Sequence, residues 1–222
     1  MSTLNITNEE LVRMVTKLVI EELSAKSIKI PIGISNRHVH LDRKDMDVLF
    51  GKYSELTPVK KLKQPGQYAS EEVVTLKGPK GQFEKVRVLG PLRNQTQIEI
   101  SLSDTYVLGV KAPIRKSGDL EGTPGMEIIG PKGRVEKIQG TIVAERHIHM
   151  PPRIAGTLGL KNGDRVSVEA GNERMAIFKN VLLRVSEKDA LEMHLDMDEA
   201  NAVHVKNNEN VKIVESILEN KG

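Results

Sequence analysis

The sequence predicts a mainly β protein: two small β-barrel domains capped by short helices, preceded by an amphipathic N-terminal helix. Three observations carry that expectation. Helical periodicity is sustained only near the N-terminus. Beyond it, short runs of β-branched residues are separated by Gly-Pro, Pro-Lys-Gly and Asn-Gly signals, with no long helical pattern between them. Two stretches also occur twice, which points to related hairpins or a partial duplication.

The elements follow in order. Thr7 and Glu10 have capping-box spacing, and Leu11, Val15, Leu18 and Val19 then recur at helical intervals, widened by Val12, Met14 and Leu23. This helix fades at Ser24-Ala25-Lys26-Ser27. A strand-like run from Ile28 to Ile34 leads into Asn36-Arg37-His38-Val39-His40-Leu41, and Asp42 is placed to cap a short helix through Leu49-Phe50. Between Leu56 and Val110 the strand-like runs are Val73–Leu76, Val86–Leu89 and Gln97–Ile100. Gly78-Pro79-Lys80-Gly81 and Gly130-Pro131-Lys132-Gly133 are the first repeated pair, each reading as a tight turn. Residues 112–124 are loop-rich. Thr141–Ala144 runs into Glu145-Arg146-His147-Ile148-His149-Met150, and Pro151-Pro152 starts a helical turn. Asn162-Gly163-Asp164 turns into Val166–Val168, further strands lie at Ala176–Phe178 and Val181–Val185, and Asp198 is expected to cap a last short helix.

Composition narrows the function classes. Of 222 residues, 3% are aromatic and none is Trp, so the core must be mostly Val, Ile and Leu, and binding of single-stranded nucleic acid on aromatic stacking platforms is disfavoured. The net charge of +3 is interspersed and suits an anionic small molecule as well as a polyanion, so charge alone does not decide between them. With no Cys, disulfides, thiolate ligands and a Cys nucleophile are excluded, and any metal must take His, Asp, Glu or water. No run approaches the ~18–20 apolar residues of a membrane span and no signal peptide is apparent, so an intracellular protein is expected.

The second repeated pair, Arg-His-β-branched-His-apolar, holds four of the six histidines. A strand puts residues i and i+2 on one face, so both imidazoles of each His-x-His can reach one cation while Val39 or Ile148 faces the other way. His194 ends an alternating acidic stretch and is expected as a fifth ligand, whereas His204 is expected at the surface. Five histidines exceed the needs of one catalytic zinc, so two metals and a carboxylate are expected, with Glu99 the best placed. Arg93 follows Gly90-Pro91-Leu92, where a rigid guanidinium can take phosphate bidentately.

Four stretches together resemble the propanediol-utilisation type phosphate propanoyltransferases of bacterial microcompartments. They are Ser35–Leu41, Val86–Arg93, Ala144–Met150 and Met193–Asn201, and the similarity covers about residues 30–215. The resemblance implies interconversion of acyl-CoA plus phosphate with acyl phosphate plus CoA, propanoyl-CoA being the implied thioester. It implies two divalent metals of zinc type: one on His38, His40 and Glu99, the other on His147, His149 and His194. Arg93 matches a phosphate-binding, catalytic arginine; Ile34, Ser35, Asn36, Lys80, Arg87 and Asn201 match positions associated with coenzyme A. The implied domains are residues 27–36 with 145–215 as a discontinuous first barrel and 37–144 as the second.

Residues 1–26 form the N-terminal helix. Its apolar stripe has three candidate partners: its own body, a second subunit of a homo-oligomer, or a groove on a microcompartment shell protein, for which it would be an encapsulation peptide. The implied location is the cytoplasm, inside such a compartment. Two competing functions are a dinuclear metal hydrolase, since His-x-His strands also serve there, and a non-catalytic microcompartment-associated binding module. The unlike third ligands, Glu99 and His194, suggest unlike jobs: the first metal facing the CoA sulfur, the second facing phosphate and water.

Overall fold

A computed structural model describes residues 7–217. The first six residues of the N-terminal segment, and the side chains of Leu18 and Leu23 in its expected stripe, lie outside what is described. Helix α1 (Asn8–Ser27) leads into strands β1 (Ile30–Ser35) and β2 (His38–His40), then α2 (Arg43–Phe50). Strands β3 (Pro58–Lys61), β4 (Tyr68–Lys77), β5 (Gln82–Gly90) and β6 (Gln97–Ile100) precede α3 (Leu102–Leu108). Then come β7 (Ile114–Arg115), β8 (Glu127–Ile129), β9 (Arg134–Glu136), β10 (Thr141–Ala144), β11 (His147–Met150) and α4 (Pro152–Thr157). The chain ends with β12 (Arg165–Ala170), β13 (Ala176–Val185), β14 (Glu192–Asp196), α5 (Met197–Val203) and β15 (Asn210–Ile217).

The fold is mainly β, as expected. Strands β1-β14-β11-β13-β12-β15 close into a six-stranded barrel, while β7-β10-β6-β2-β5-β4-β8-β9, with β3 beside β4, form a nine-stranded sheet rolled into a half-barrel. Each has its own aliphatic core. Ile30, Ile32, Ile148 and Leu183 are among the residues filling the barrel. Val39, Leu41, Val88 and Ile98 are among those filling the rolled sheet. Val39 and Ile148, the residues between the paired histidines, are both 0% exposed. Burying such a side chain contributes about 1.5–3 kcal/mol, which fixes the register that turns the flanking histidines the other way.

The two halves repeat one plan. Strand β2 runs antiparallel to β6 with His38 opposite Glu99 and His40 opposite Gln97. Strand β11 runs antiparallel to β14 with His147 opposite His194 and His149 opposite Glu192. On its other side β2 pairs parallel with β5, and β11 with β13. The preceding strands are exchanged: β10 lies beside β6, and β1 lies beside β14. The chain therefore crosses between halves twice, at Asn36-Arg37 and Glu145-Arg146. What differs is closure. Strand β15 pairs with both β12 and β1 and shuts the barrel, whereas β8, beside β4, continues to β9.

The Gly-Pro-Lys-Gly turns also act alike. The Lys80 N–H donates to the Leu108 carbonyl at 3.1 Å, and the Lys132 N–H to the Leu49 carbonyl at 3.0 Å. Each turn thus satisfies a carbonyl at the C-terminal end of a short helix, α3 or α2, which would otherwise lack a partner.

Two local expectations are corrected. The last helix is capped by Asp196, whose side chain accepts from the Glu199 N–H, and Asp198 lies one turn position inside it. Helix α3 interrupts the stretch read as strands; Ser101 caps it with Asp104 as the reciprocal partner. Helix α1 begins at the Thr7–Glu10 capping box as expected, and Leu11, Val12, Met14, Val15 and Val19 on it are exposed. No helix among the described residues is long and apolar enough to cross a membrane.

Candidate active site

Each of the four strands carrying expected ligands runs directly into a short helix. Caps Asp42, Ser101 and Asp196, and Pro152 at the start of α4, fix these junctions and so the end of each strand. The arginine before each His-x-His ties the strand to the helix after the third ligand. Arg37 makes two bonds to Asp104, Nη2 to Oδ1 at 2.6 Å and Nε to Oδ2 at 3.0 Å. Arg146 Nη1 meets Glu199 Oε1 at 2.8 Å. Asp104 and Glu199 are the capping-box acids of their helices. Each guanidinium also lies over a phenyl ring, Arg37 4.1 Å from Phe83 and Arg146 5.2 Å from Phe178.

Two candidate ligand groups result: His38, His40 and Glu99, and His147, His149 and His194. Within each, one ligand atom per residue lies within 4.8 Å of the others. The first histidine of each pair points Nδ1 at a carbonyl two residues back, His38 at Asn36 and His147 at Glu145, both at 2.8 Å. A carbonyl only accepts, so Nδ1 carries the proton and Nε2 presents a lone pair. His149 Nδ1 likewise meets Asp189 Oδ2 at 2.8 Å. The Nε2 atoms of His147 and His149, each left with a lone pair, are only 3.2 Å apart. His38 Nε2 lies 3.5 Å from Glu99 Oε2 and His40 Nε2 3.8 Å from Glu99 Oε1. Lone pairs and a carboxylate converging at these distances repel one another unless a proton or cation sits between them, so both groups fit a divalent cation.

The electrostatics agree. Burial pushes His147 down to about 3, aided by neighbouring His194, and pushes His149 down as well. Burial, with His38 close by, takes His40 down to about 3. These rings are neutral and open to a metal at neutral pH. At His38 burial also pulls down, but the Glu99 carboxylate outweighs it and the net shift is upward. Burial would raise Glu99, yet His38, His40 and Arg93 hold it well below the usual carboxylate range.

Both groups border one cavity of about 780 Å³ between the barrel and the rolled sheet. Arg93 lines it; its Nη1 donates to Ser117 Oγ at 3.2 Å, and the Ser117 hydroxyl donates to Glu99 Oε1 at 3.2 Å. Ile34, Ser35, Asn36 and Arg87 line it too, Arg87 pinned by the Ser70 and Glu71 carbonyls at 2.8 and 3.0 Å. Lys80 and Asn201 are not among the lining residues. Lys80 is exposed in its turn beneath α3, and Asn201 is exposed on α5. His204 is exposed at the C-cap of α5.

Several cavity residues had no signal in the sequence. Lys60, Lys61, Lys63 and Gln64 come from β3 and the loop after it, Arg184 from β13, and Asn207 and Asn208 from the turn before β15. The Gln64 side chain spans from the rolled sheet to the barrel, donating to the Ala190 carbonyl and to Glu192 Oε2, both at 3.1 Å. Glu192 Oε2 also meets His194 Nε2 at 2.8 Å and so fixes that ring. Gly33 makes this possible: a Cβ there would stand 2.8 Å from Glu192 Cδ and 3.1 Å from His194 Cδ2. Only Glu192 was near a usable signal, since it lies two residues from His194, as Gln97 does from Glu99.

Residues 31–206 match the family model described as phosphate propanoyltransferase. A phosphate propanoyltransferase of Rhodopseudomonas palustris is 57% identical over 185 residues, covering 83% of this chain and 82% of the relative. One of Thermotoga maritima is 56% identical over 196 residues, covering 87% of this chain and 93% of the relative. One of Salmonella typhimurium is 48% identical over 201 residues, 90% and 94% of the two chains. With the match spanning both halves and every candidate ligand, the chain belongs to the phosphate propanoyltransferase family.

Proposed function

We propose that this protein transfers an acyl group, propanoyl in its family role, between coenzyme A and inorganic phosphate. The observation that carries this reading is the convergence of both ligand groups and Arg93 on one cavity. In the forward step a phosphate oxygen bonds to the thioester carbonyl carbon, the C–S bond breaks, and CoA leaves as the thiolate. His38, His40 and Glu99, and His147, His149 and His194, would hold divalent cations, which when bound would supply Lewis-acid polarisation and charge neutralisation, roles that suit the borderline softness of zinc.

The chain's own groups do the rest. Arg93, steadied by Ser117, orients the phosphate dianion and offsets its repulsion from the phosphates of CoA. Ile34, Ser35, Asn36 and Arg87 take the pantetheine arm along the cavity wall. Lys60, Lys61 and Lys63 at the same cavity suit the nucleotide phosphates better than Lys80, which does not line it. The Gln64 bridge keeps the two walls in register. No cysteine is available for an acyl-enzyme, which favours direct transfer.

The domain division belongs to the same proposal: residues 27–36 with 145–215 as the barrel domain, and 37–144 as the rolled-sheet domain. The exposed apolar residues of α1 support its use as a docking peptide for a microcompartment shell protein.

The test follows release of the CoA thiol from propanoyl-CoA with and without inorganic phosphate. Phosphate-dependent release that a chelator abolishes is expected. Hydrolysis indifferent to phosphate would overturn the reading in favour of a metal hydrolase.

A further inference from the structure

We propose that Arg184 is a second phosphate-binding residue, so that each half of the molecule contributes one guanidinium to the phosphate subsite. The proposal rests on the transacylase reading above and extends it to a residue outside every repeated motif.

Arg184 lies on β13 in parallel register with His149 and lines the same cavity as Arg93. It is half-buried. Among the described residues its guanidinium makes no hydrogen bond and no ion pair. Other arginines around the site are all tied down: Arg37 to Asp104, Arg146 to Glu199, Arg87 to backbone carbonyls. The groups that share its cavity include a second guanidinium, Arg93, and the imidazoles of His147 and His149. The two acids lining the cavity are already engaged, Glu99 by His38, Gln97 and Ser117, and Glu192 by His194 and Gln64. A half-buried guanidinium beside a second guanidinium, with no carboxylate of its own, is a site that an anion completes.

The duplication shows that this is no inherited symmetry. Counting along β5 and β13 from the residues opposite His38 and His147, Arg184 takes the place of Leu89. Counting back from Glu99 and His194, Arg93 takes the place of Lys188, which is exposed. Each half has thus placed its cavity arginine at a different position, and both reach one cavity. A tetrahedral dianion offers separate oxygen edges to two planar forks, which a single arginine cannot fill.

The experiment uses full-length, metal-loaded protein and two variants, Arg184→Gln and Arg184→Lys. It reads the KM values for inorganic phosphate and for propanoyl-CoA, the metal content, and phosphate binding by calorimetry. Arg184→Gln is expected to raise the phosphate KM and Kd by about 10- to 100-fold, the range of one charge-assisted hydrogen bond. The propanoyl-CoA KM should stay within about twofold and metal content should be retained, with Arg184→Lys, which keeps the charge but not the planar fork, recovering only part of the loss. An unchanged phosphate KM, a rise confined to the propanoyl-CoA KM, or loss of metal would each overturn the proposal. The second of these would assign Arg184 to the CoA phosphates and the third to scaffolding. If wild-type protein shows no phosphate-dependent transfer while Arg184→Gln still weakens phosphate binding, the transacylase reading falls and the anion site stands.

Discussion

Replacing Arg93 by Ala removes the guanidinium that Ser117 steadies while leaving every candidate ligand in place. Turnover should fall by about 10²–10³, the usual loss for a preorganised charge-stabilising donor, with metal content near normal. Steady-state kinetics beside elemental analysis check this, and wild-type turnover would remove Arg93 from the site. Gly33→Ala acts on the other wall. Its methyl group would push Glu192 and His194 out of place, so cation affinity at the three-histidine group should drop by about 10- to 100-fold. Competition titration with a zinc chelator reads that change.

Short helices set the geometry at the next scale. Glu199 illustrates how closely they are tied to the site: it caps α5 reciprocally with Asp196 and holds Arg146. Burial, reinforced by Asp196, raises its carboxyl to about 7 from its ordinary value of 4.5. Between those values the folded protein holds a proton that the unfolded chain has lost. Stability from this group is therefore greatest at the acid end of the window and declines as pH rises towards 7. Glu199→Gln should flatten that part of the profile in thermal melts taken across the window, and an unaltered slope would show that another group governs it. Helix α1 is a different case. With five apolar residues of its face exposed, its removal should spare transfer activity. Loss of folding on deleting residues 1–26 would place the helix in the core. Element by element, the capping box of α1 and the N-cap of α2 were legible because a cap is local chemistry. Helix α3 was not, since its seven residues are too few to establish a period and only the Ser101–Asp104 spacing marks it. Strand β15 was missed because its role in closing the barrel depends on β1 and β12, far away in the chain.

The exchanged strands dominate the molecule as a whole. Residues 38–144 hold all the strands of the rolled sheet and its core, so that piece should fold when expressed alone. Residues 145–217 lack β1, whose Ile30 and Ile32 are fully buried in the barrel. Losing both removes about 3–6 kcal/mol of apolar burial and bares the edges of β14 and β15, enough to unfold a marginally stable domain. The second piece should aggregate alone and be rescued by co-expression with residues 7–37. Circular dichroism of the separate and combined pieces checks this, and a stable, monomeric 145–217 fragment would refute it. The same exchange places one His-x-His immediately after each crossing, where both halves wall the cavity.

Chemistry was the part legible in the residues themselves. His38, His40, His147 and His149 announce paired ligands by spacing alone, since a strand returns to the same face every second residue. The Arg before each pair, the Glu99 alternation and the lack of cysteine are equally local. Partnership was decided only by tertiary structure. That Glu99 answers His38 while His194 answers His147 follows from strand register. That Arg184 reaches the cavity, and that Lys80 does not, follows from which faces the barrel and the rolled sheet turn towards each other. Spacing records what one strand or turn can do, but a site shared by two exchanged halves exists only once distant strands have paired.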